Sequence, residues 1–335
     1  MPSTPEIPQS MLAWQVTRLG EPAEALTQQT VPTPVPAEGE VLIRVAAVAA
    51  NFPDVLLARG EYQVKPDLPF TPGIECSGTV VGVGAGVTAH AVGDRVVAGK
   101  IGVLAEYAAV DAAAVHGIPD AFDFVAAAGL NIAYQTSWFA LHRRARLQAG
   151  EWLLVHAAAG GVGAAAVQLG AAAGARVIGV VGSEGKAETA RAAGAEHVLL
   201  RSDDIVAEVK RLTGGHGADV VFDPVGGDAF AASTRVVAFE GRIIVVGFAS
   251  GEIPQLAVNH ALVKNYAVLG LYWGLYQERR PHLVDEAHDD LIRLFEEGGI
   301  SPVVDHVVPF AEAPAAITAL ASGTTVGRVV IEVGS

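Results

Sequence analysis

The 335-residue chain contains a single cysteine, Cys76. One thiol can form neither an intramolecular disulfide nor a cysteine-based zinc site. It fits a reducing compartment, so we expect a cytoplasmic protein. Residues 1–9 lack a basic region followed by a long apolar run, and we therefore expect no secretory signal peptide.

Positive charge is also scarce, with 22 Lys and Arg residues against 36 Asp and Glu residues and a net charge of −14. An acidic chain of this kind is repelled by a nucleic-acid backbone and by an anionic membrane surface, so we predict neither as a partner. Apolar residues make up 51% of the chain and charged residues 17%. That composition suits a packed globular protein.

One uncharged stretch, residues 153–175, is long enough to cross a bilayer. It is composed mainly of alanine and contains five glycines. These residues favour the membrane only weakly, and a strand followed by a glycine turn and a helix explains the stretch better. We therefore predict no membrane span.

The first 130 residues contain short β-type runs, such as 41–48, 78–83 and 95–98, separated by Pro and Gly. Many short strands with regular turn residues indicate a mostly antiparallel β domain. The chain also ends in an apolar run, 328–333, that reads as a strand.

From about residue 133, continuous apolar runs alternate with alanine-rich segments of helical length. The alternation predicts a parallel sheet covered by helices. The predicted strands are 152–156, 176–181, 197–200, 219–222, 242–246 and 267–271; the predicted helices are 163–173, 186–193 and 205–212. We expect an irregular polar stretch at 272–289, followed by a helix at 290–297.

The first strand of this region runs into the sequence Ala158-Ala159-Gly160-Gly161-Val162-Gly163. The spacing is that of G-x-G-x-x-G with alanine at the first position, placed between a strand and a helix as a dinucleotide fingerprint requires. Gly160 lets the backbone approach a pyrophosphate, and Gly163 lets the helix pack closely on the strand. The helix N-terminus then offers N–H groups to the phosphates. A glycine-rich turn without cofactor is the alternative.

The end of the second strand indicates which nicotinamide cofactor is bound. NAD-specific sites carry a carboxylate there, whereas this chain has Gly182 and Ser183. Ser183, Lys186 and Arg201 can bind a 2′-phosphate, which favours NADPH. Solvated surface positions are the alternative for Lys186 and Arg201, and we assign Glu184 outward.

Several motifs along the chain resemble the zinc-free medium-chain dehydrogenases/reductases, and among them the quinone oxidoreductases of the zeta-crystallin type. The motifs lie at 51–54, 59–62, 72–78, 92–96 and 158–163, and the resemblance covers about residues 13–333. It implies an α/β protein with a GroES-like β domain (1–132 and 275–335), a doubly wound Rossmann domain (133–274) and an active site in the cleft between them. It also implies a homodimer formed through an edge strand, for which 267–271 is the candidate.

The resemblance also assigns roles to individual residues. Asn51 and Tyr62 are the expected hydrogen-bond donors to a substrate carbonyl, Thr136 lies near the nicotinamide, and Arg328 approaches the cofactor. The alternatives are that Asn51 only forms a turn, that Tyr62 only packs as an aromatic residue, and that Thr136 is a helix residue with a satisfied hydroxyl. Because ligands bind at the carboxyl ends of parallel strands, a further set is expected to form cofactor walls: Val225, Gly247, Phe248, Leu271 and Trp273.

A zinc-dependent relative carries a Gly-His-Glu run where this chain has Gly73-Ile74-Glu75, and isoleucine cannot bind a metal. We therefore expect metal-free hydride transfer from NADPH to a quinone, whose electron-poor ring needs no Lewis acid. Reduction of an activated alkene, in an α,β-unsaturated thioester, aldehyde or ketone, is the second expectation. A non-enzymatic NADPH-binding protein is the third.

Overall fold

A computed structural model describes residues 7–334. Most of residues 1–9, for which no signal peptide is expected, therefore lies outside the described residues. The chain forms two compact units. The first runs to Ile132 and resumes at Pro302, and the second is Ala133–Ser301. The break after residue 132 coincides with the predicted one.

The second boundary was predicted at residue 275, whereas the compact units divide after Ser301. Residues 275–301 belong to the second unit because their helices pack on its first helix. Gln135 Nε2 donates to the Val284 carbonyl at 3.1 Å, and Trp138 Nε1 donates to Asp290 Oδ2 at 2.8 Å. These contacts join segments about 150 residues apart, which the local sequence pattern cannot reveal.

The secondary structure follows the two predicted compositions. The strands are β1 (Ser10–Val16), β2 (Leu26–Pro32), β3 (Glu40–Ala49), β4 (Glu75–Val83), β5 (Arg95–Gly99), β6 (Tyr107–Asp111), β7 (Val115–Gly117), β8 (Trp152–His156), β9 (Arg176–Val181), β10 (His197–Leu200), β11 (Ala218–Asp223), β12 (Val237–Val245), β13 (Ala267–Gly270), β14 (Val304–Pro309) and β15 (Arg328–Glu332). The helices are α1 (Pro22–Ala25), α2 (Phe52–Arg59), α3 (Phe124–Ala128), α4 (Asn131–Trp138), α5 (Gly161–Ala172), α6 (Ala187–Ala192), α7 (Ile205–Leu212), α8 (Gly227–Val236), α9 (Val258–Lys264), α10 (Gly274–Arg279), α11 (Pro281–Glu296) and α12 (Ala313–Ala321). A π-helical segment, Phe139–Ala145, continues α4.

The first unit is built around strand β3. It pairs antiparallel with β4, β6 and β15, and the larger sheet runs β14-β15-β3-β4-β5-β7. Val41, Ile43 and Val45 of β3 lie on one face and are buried in the apolar core. The predicted antiparallel β domain is confirmed, and the final strand predicted at 328–333 is β15.

The second unit contains a six-stranded parallel sheet in the order β10-β9-β8-β11-β12-β13. Its strands are continuous apolar runs because the sheet is buried on both faces. The order reverses beside β8, and ligands of open α/β sheets bind at such a point, outside the carboxyl ends of the strands. The predicted doubly wound sheet is confirmed.

The expectation of an irregular stretch at 272–289 is wrong. It contains α10 and most of α11, which begins with Pro281 at its first helical position. The buried residues of α11 recur at helical spacing among polar ones: Leu283, Val284, Ala287, His288 and Leu291. Within residues 7–334, no helix combines the length and the apolar character that a bilayer span requires.

Candidate functional site

The turn after β8 is the first element of the candidate site. Ala157 takes up left-handed backbone (φ 51°), and the Gly160 N–H donates to its carbonyl at 2.9 Å. Helix α5 then begins with Gly160 at its N-cap and with no side-chain cap. The first N–H groups of a helix lack intrahelical partners, so this end presents donors and a positive dipole to an anion.

Crowding explains the glycines of this turn. A Cβ atom added to Gly163 would lie 2.0 Å from the Ala157 carbonyl oxygen, whereas one at Gly160 would lie 3.4 Å from it. Gly163 therefore permits the close approach of α5 to the turn. Ala158, the departure from the fingerprint, is accommodated by Gly179 on β9, where an added Cβ would lie only 2.9 Å from the Ala158 methyl group.

The predicted 2′-phosphate residues follow the carboxyl ends of β9 and β10, which are neighbours in the sheet. Leu200 lies opposite Val181, and the Arg201 N–H donates to the Val181 carbonyl at 2.8 Å. Arg201 therefore follows β10 directly beside the end of β9. Gly182, Ser183 and Arg201 are exposed, and Lys186 is half-buried. A Cβ at Gly182 would meet nothing within 4 Å, so there is open space at this point.

The remaining predicted wall residues follow β11, β12 and β13. Gly247 is half-buried and Phe248 exposed, while Leu271 and Trp273 are buried. The Trp273 Nε1 atom is buried and has no hydrogen-bond partner among the described residues. Thr136 is buried in α4.

Two buried polar residues near the turn, Asp223 and His156, were not predicted as site residues from the sequence. Asp223 ends β11, and its Oδ1 accepts from the N–H groups of Val225 and Gly226 at 2.8 and 3.0 Å. His156 ends β8 next to the turn, and its Nε2 lies 2.9 Å from Ser233 Oγ on α8. Burial lowers the pKa of His156, which favours the neutral imidazole. A carboxylate ending a buried strand was the available signal.

The first unit holds a second buried cluster, formed by Asn51, Asp54, Glu75 and Arg328. Glu75 is fully buried and accepts from Asn51 Nδ2 at 2.8 Å, from the Ile132 N–H at 2.6 Å and from Arg328 Nη2. Arg328 Nη1 donates to Asn51 Oδ1 at 2.9 Å. Burial raises the pKa of Glu75, while the Arg328 guanidinium opposes this shift.

Asn51 has its side-chain amide engaged in this cluster. Its amide group donates one hydrogen to Glu75 and the other to the Ala49 carbonyl at 2.9 Å. Both amide hydrogens are therefore used within the cluster, and the predicted role of Asn51 as a donor to a substrate carbonyl stays a prediction. Arg328 has two nitrogens engaged and a buried Nε atom without a partner. Its contact with a cofactor stays a prediction.

Tyr62 lies in the loop after α2 and is half-buried. Its expected role as a proton or hydrogen-bond donor stays a prediction.

Two domain families match the chain in the order of its two units. The alcohol dehydrogenase GroES-like domain matches residues 37–120, and the zinc-binding dehydrogenase family matches 161–289. A quinone oxidoreductase-like protein 2 homolog from Nematostella vectensis is 42% identical over 262 residues, which is 77% of this chain and 72% of that protein. This chain belongs to the medium-chain dehydrogenase/reductase family.

Solved structures of family members support the same assignment. The structure of Escherichia coli quinone oxidoreductase complexed with NADPH is 30% identical, with a TM-score of 0.89 over 97% of this chain and 100% of that one. A mycobacterial protein complexed with NADPH is 32% identical, with a TM-score of 0.90 over 96% of this chain and 100% of that one. The predicted resemblance to quinone oxidoreductases and the GroES-like domain are thus confirmed.

One of the two matched families is described as zinc-binding, and a zinc site requires several ligating side chains placed together. Among residues 7–334, no group of three or more His, Cys, Asp or Glu side chains is placed to hold a metal ion. Ile74 occupies the position of a zinc-binding histidine, and the adjacent Glu75 is committed to Arg328.

Asp54 is the second acid of the buried cluster. It accepts from the Asn51 N–H at 2.8 Å and from the Gly73 N–H at 3.0 Å. Burial raises its pKa to about 7; these hydrogen bonds oppose the shift and the nearby Glu75 adds to it. The folded chain therefore binds this proton more tightly than the unfolded chain does.

We expect this proton to be visible in the stability of the protein. Asp54→Asn removes the titrating group. Between about pH 4 and 7, the unfolded wild-type chain has lost this proton and the folded chain has kept it. The free energy of unfolding of the wild type, relative to that of the variant, should therefore fall by about 1.4 kcal/mol per pH unit in this range. Urea unfolding at several pH values in this range measures the difference. A difference that stays constant over this pH range would instead mean that Asp54 is already ionised in the folded protein.

Proposed function

We propose that this family member is an NADPH-dependent quinone oxidoreductase that works without a metal. The proposal rests mainly on helix α5, which begins after the glycine turn without a side-chain cap. Next to it, the end of β9 has Gly182 and Ser183 in place of a carboxylate. A relative named as quinone oxidoreductase-like supports it, as do the structures of Escherichia coli quinone oxidoreductase and of a mycobacterial protein, both complexed with NADPH. We also propose a cytoplasmic location, because a chain with one thiol fits a reducing compartment.

The residues of the second unit fit a dinucleotide. The turn would hold the pyrophosphate through Gly160, Gly161, Val162 and the tightly packed Gly163. The open space at Gly182 leaves room for a 2′-phosphate beside Arg201. When bound, NADPH supplies a hydride to the substrate.

The chain's own residues orient and shield the reacting groups. We assign the walls of the nicotinamide site to Thr136, Leu271 and Trp273, which are buried and restrict access of water. We assign the delivery of a proton or hydrogen bond to the Tyr62 hydroxyl. The substrate is a small molecule with an electron-poor ring or double bond, so positioning it is the main task of the protein.

The test follows NADPH oxidation at 340 nm with chelator-treated protein and a panel of quinones, enals, enones and enoyl thioesters. Rapid turnover of quinones supports the proposal. Turnover restricted to the enoyl substrates would replace it by the activated-alkene reductase. Tight NADPH binding without turnover of any acceptor would favour the non-enzymatic alternative.

Arg201 provides the sharpest test of cofactor preference. We expect Arg201→Ala to raise the Kd of NADPH about tenfold and to leave the Kd of NADH unchanged, because only NADPH carries the 2′-phosphate that a charged donor binds. Calorimetry with both cofactors measures this. Arg191→Ala, an exposed arginine of α6 that pairs with Glu188, is the matched control. Equal losses for NADPH and NADH would contradict the assignment.

We further propose a homodimer formed through β13, which lies at the edge of the parallel sheet. An unpaired edge strand can pair with the same strand of a second copy. The adjacent helix α9 supports this, because Val258, Leu262 and Val263 are 73–79% exposed. Apolar groups so exposed next to a free strand suit an interface between copies.

Leu262→Asp is expected to weaken this dimer about a hundredfold or more, because a two-fold axis places the change in the interface twice. Light scattering after size exclusion should then report a monomer at micromolar concentration. Leu19→Asp, at an exposed leucine of the first unit, should leave the mass unchanged. A dimer that persists in Leu262→Asp would exclude this surface.

A further inference from the structure

A concave basic surface lies in the second unit, away from the glycine turn. It is a cavity of about 350 Å³ lined by His142, Arg143, Arg144, Arg146 and Tyr276, and we call these residues the basic recess. A second cavity of about 470 Å³ adjoins it and shares the three arginines. Three arginines in one concave surface are unexpected in a chain with a net charge of −14.

The recess lies at the amino ends of the parallel strands, whereas the glycine turn lies at their carboxyl ends. Its arginines come from the π-helical segment and from Arg146, just before β8 begins. Arg242, which begins the part of β12 paired with β13, contacts the same segment. Because β8 and β12 are parallel, both beginnings lie at the amino edge of the sheet, whereas the turn follows the carboxyl end of β8.

The recess arginines have no acidic partner. Elsewhere in this unit, arginine side chains pair with carboxylates, as in Arg176–Glu196 and Arg293–Asp290. Over the described range 7–334, the side chains of Arg143, Arg144 and Arg146 form neither a hydrogen bond nor an ion pair.

Capping of the helix end does not explain them either. Cations often stabilise the carbonyl groups at a helix C-terminus, but Arg242 already fills this role. Its Nε donates to the Ala145 carbonyl at 2.9 Å and its Nη2 to the Arg146 carbonyl at 3.2 Å. The same guanidinium also binds both oxygens of Glu151, at 2.9 and 3.0 Å. The nearby carboxylate and the helix end are therefore both satisfied without the recess arginines.

The backbone that carries the recess arginines is irregular. Arg146 has left-handed backbone (φ 52°, ψ 51°), and its N–H donates to the Leu141 carbonyl. Left-handed backbone is costly for a residue other than glycine, and such outliers concentrate at binding sites. The π-helical hydrogen bonding of Phe139–Ala145 is a second irregularity of a kind that is frequent at functional sites.

We propose that the basic recess binds a chain of phosphate groups on a soluble ligand. Guanidinium groups match phosphate oxygens in paired hydrogen bonds, and three of them suit two or more phosphates. Tyr276, whose ring lies 4.3 Å from that of Phe139 between centroids, offers an aromatic surface beside the charges. The carboxylate of Glu240, which would repel phosphate, lines only the adjoining cavity. We therefore place the ligand in the basic recess itself, beside His142 and Tyr276.

Calorimetry with inorganic tripolyphosphate, in the presence of saturating NADPH, tests this proposal. We expect one saturable site per chain and about a hundredfold loss of affinity in the double variant Arg143→Gln with Arg144→Gln, since each removes a charge-assisted bond. The control removes the same charge elsewhere in the unit, by Arg191→Gln with Arg211→Gln, and should change affinity less than about twofold. Equal affinity in the recess variant, or equal loss in the control, would overturn the proposal.

Two further arms complete the test. Hydrogen exchange of the wild-type protein should slow at residues 139–146 on addition of tripolyphosphate, and exchange unchanged there would overturn the proposal without relying on a variant. A comparison of ADP with pyrophosphate distinguishes the source of the phosphates. If ADP binds more tightly than pyrophosphate and the Tyr276→Leu variant loses this advantage, the ligand is a nucleotide. If the two bind equally, the ligand is a free polyphosphate. Arg201→Ala should leave tripolyphosphate binding intact, so a failure of the NADPH assignment is seen separately.

Discussion

Arg328→Met is expected to lower the free energy of unfolding by about 3–5 kcal/mol, because it leaves the Glu75 carboxylate buried without its counter-ion. Glu75 is fully buried and Arg328 is 5% exposed, so water cannot replace the lost partner. The double change Arg328→Met with Glu75→Leu removes both charges and should recover a large part of this loss. Urea unfolding of the three proteins measures the effect.

A matched control is available in the same unit. Arg59 binds Glu21 through two hydrogen bonds of 3.0 and 2.8 Å, but this pair lies at the surface. Arg59→Met should therefore cost less than about 1 kcal/mol. A similar cost for Arg59→Met and Arg328→Met would contradict the importance of burial.

Gly163→Ala is expected to weaken NADPH binding about a hundredfold or more. The new methyl group would lie 2.0 Å from the Ala157 carbonyl oxygen, so the turn or helix α5 must shift and the N–H groups must move with it. Fluorescence titration with NADPH measures the loss.

Gly170→Ala separates this effect from damage to the fold. Gly170 lies in the same helix, and its added Cβ would lie 2.4 Å from Leu153 Cδ2, in the core rather than at the turn. We expect Gly170→Ala to lower the unfolding temperature and to bind NADPH normally once folded. If both variants lost NADPH binding equally, the turn would not be the phosphate site.

The parallel sheet could be predicted almost residue by residue because its signal is local. A buried parallel strand is a continuous apolar run, and the predicted strands 152–156, 176–181 and 197–200 are identical to β8, β9 and β10. Only the last part of helix α11 was predicted, as the helix at 290–297. Its first part was assigned to an irregular stretch although the buried residues have helical spacing, because charged and histidine residues interrupt the pattern. The signal was present but weak.

The polar clusters could not be predicted in the same way. Asn51, Glu75 and Arg328 meet because β15 pairs with β3 and β3 pairs with β4, although 253 residues separate Glu75 from Arg328. Local pattern does not encode such a pairing. Asn51 illustrates this: the residue type suits a donor, but only the fold reveals that both amide hydrogens are bonded to Glu75 and the Ala49 carbonyl.

The most direct test of the account is an anaerobic single turnover of chelator-treated protein, with NADPH bound in stoichiometric amount and a simple benzoquinone added. Metal-free hydride transfer predicts loss of the 340 nm absorbance of NADPH in one rapid phase, with one quinone reduced for each NADPH and no dependence on added zinc. Oxidation that stops after chelation and returns with zinc would contradict it.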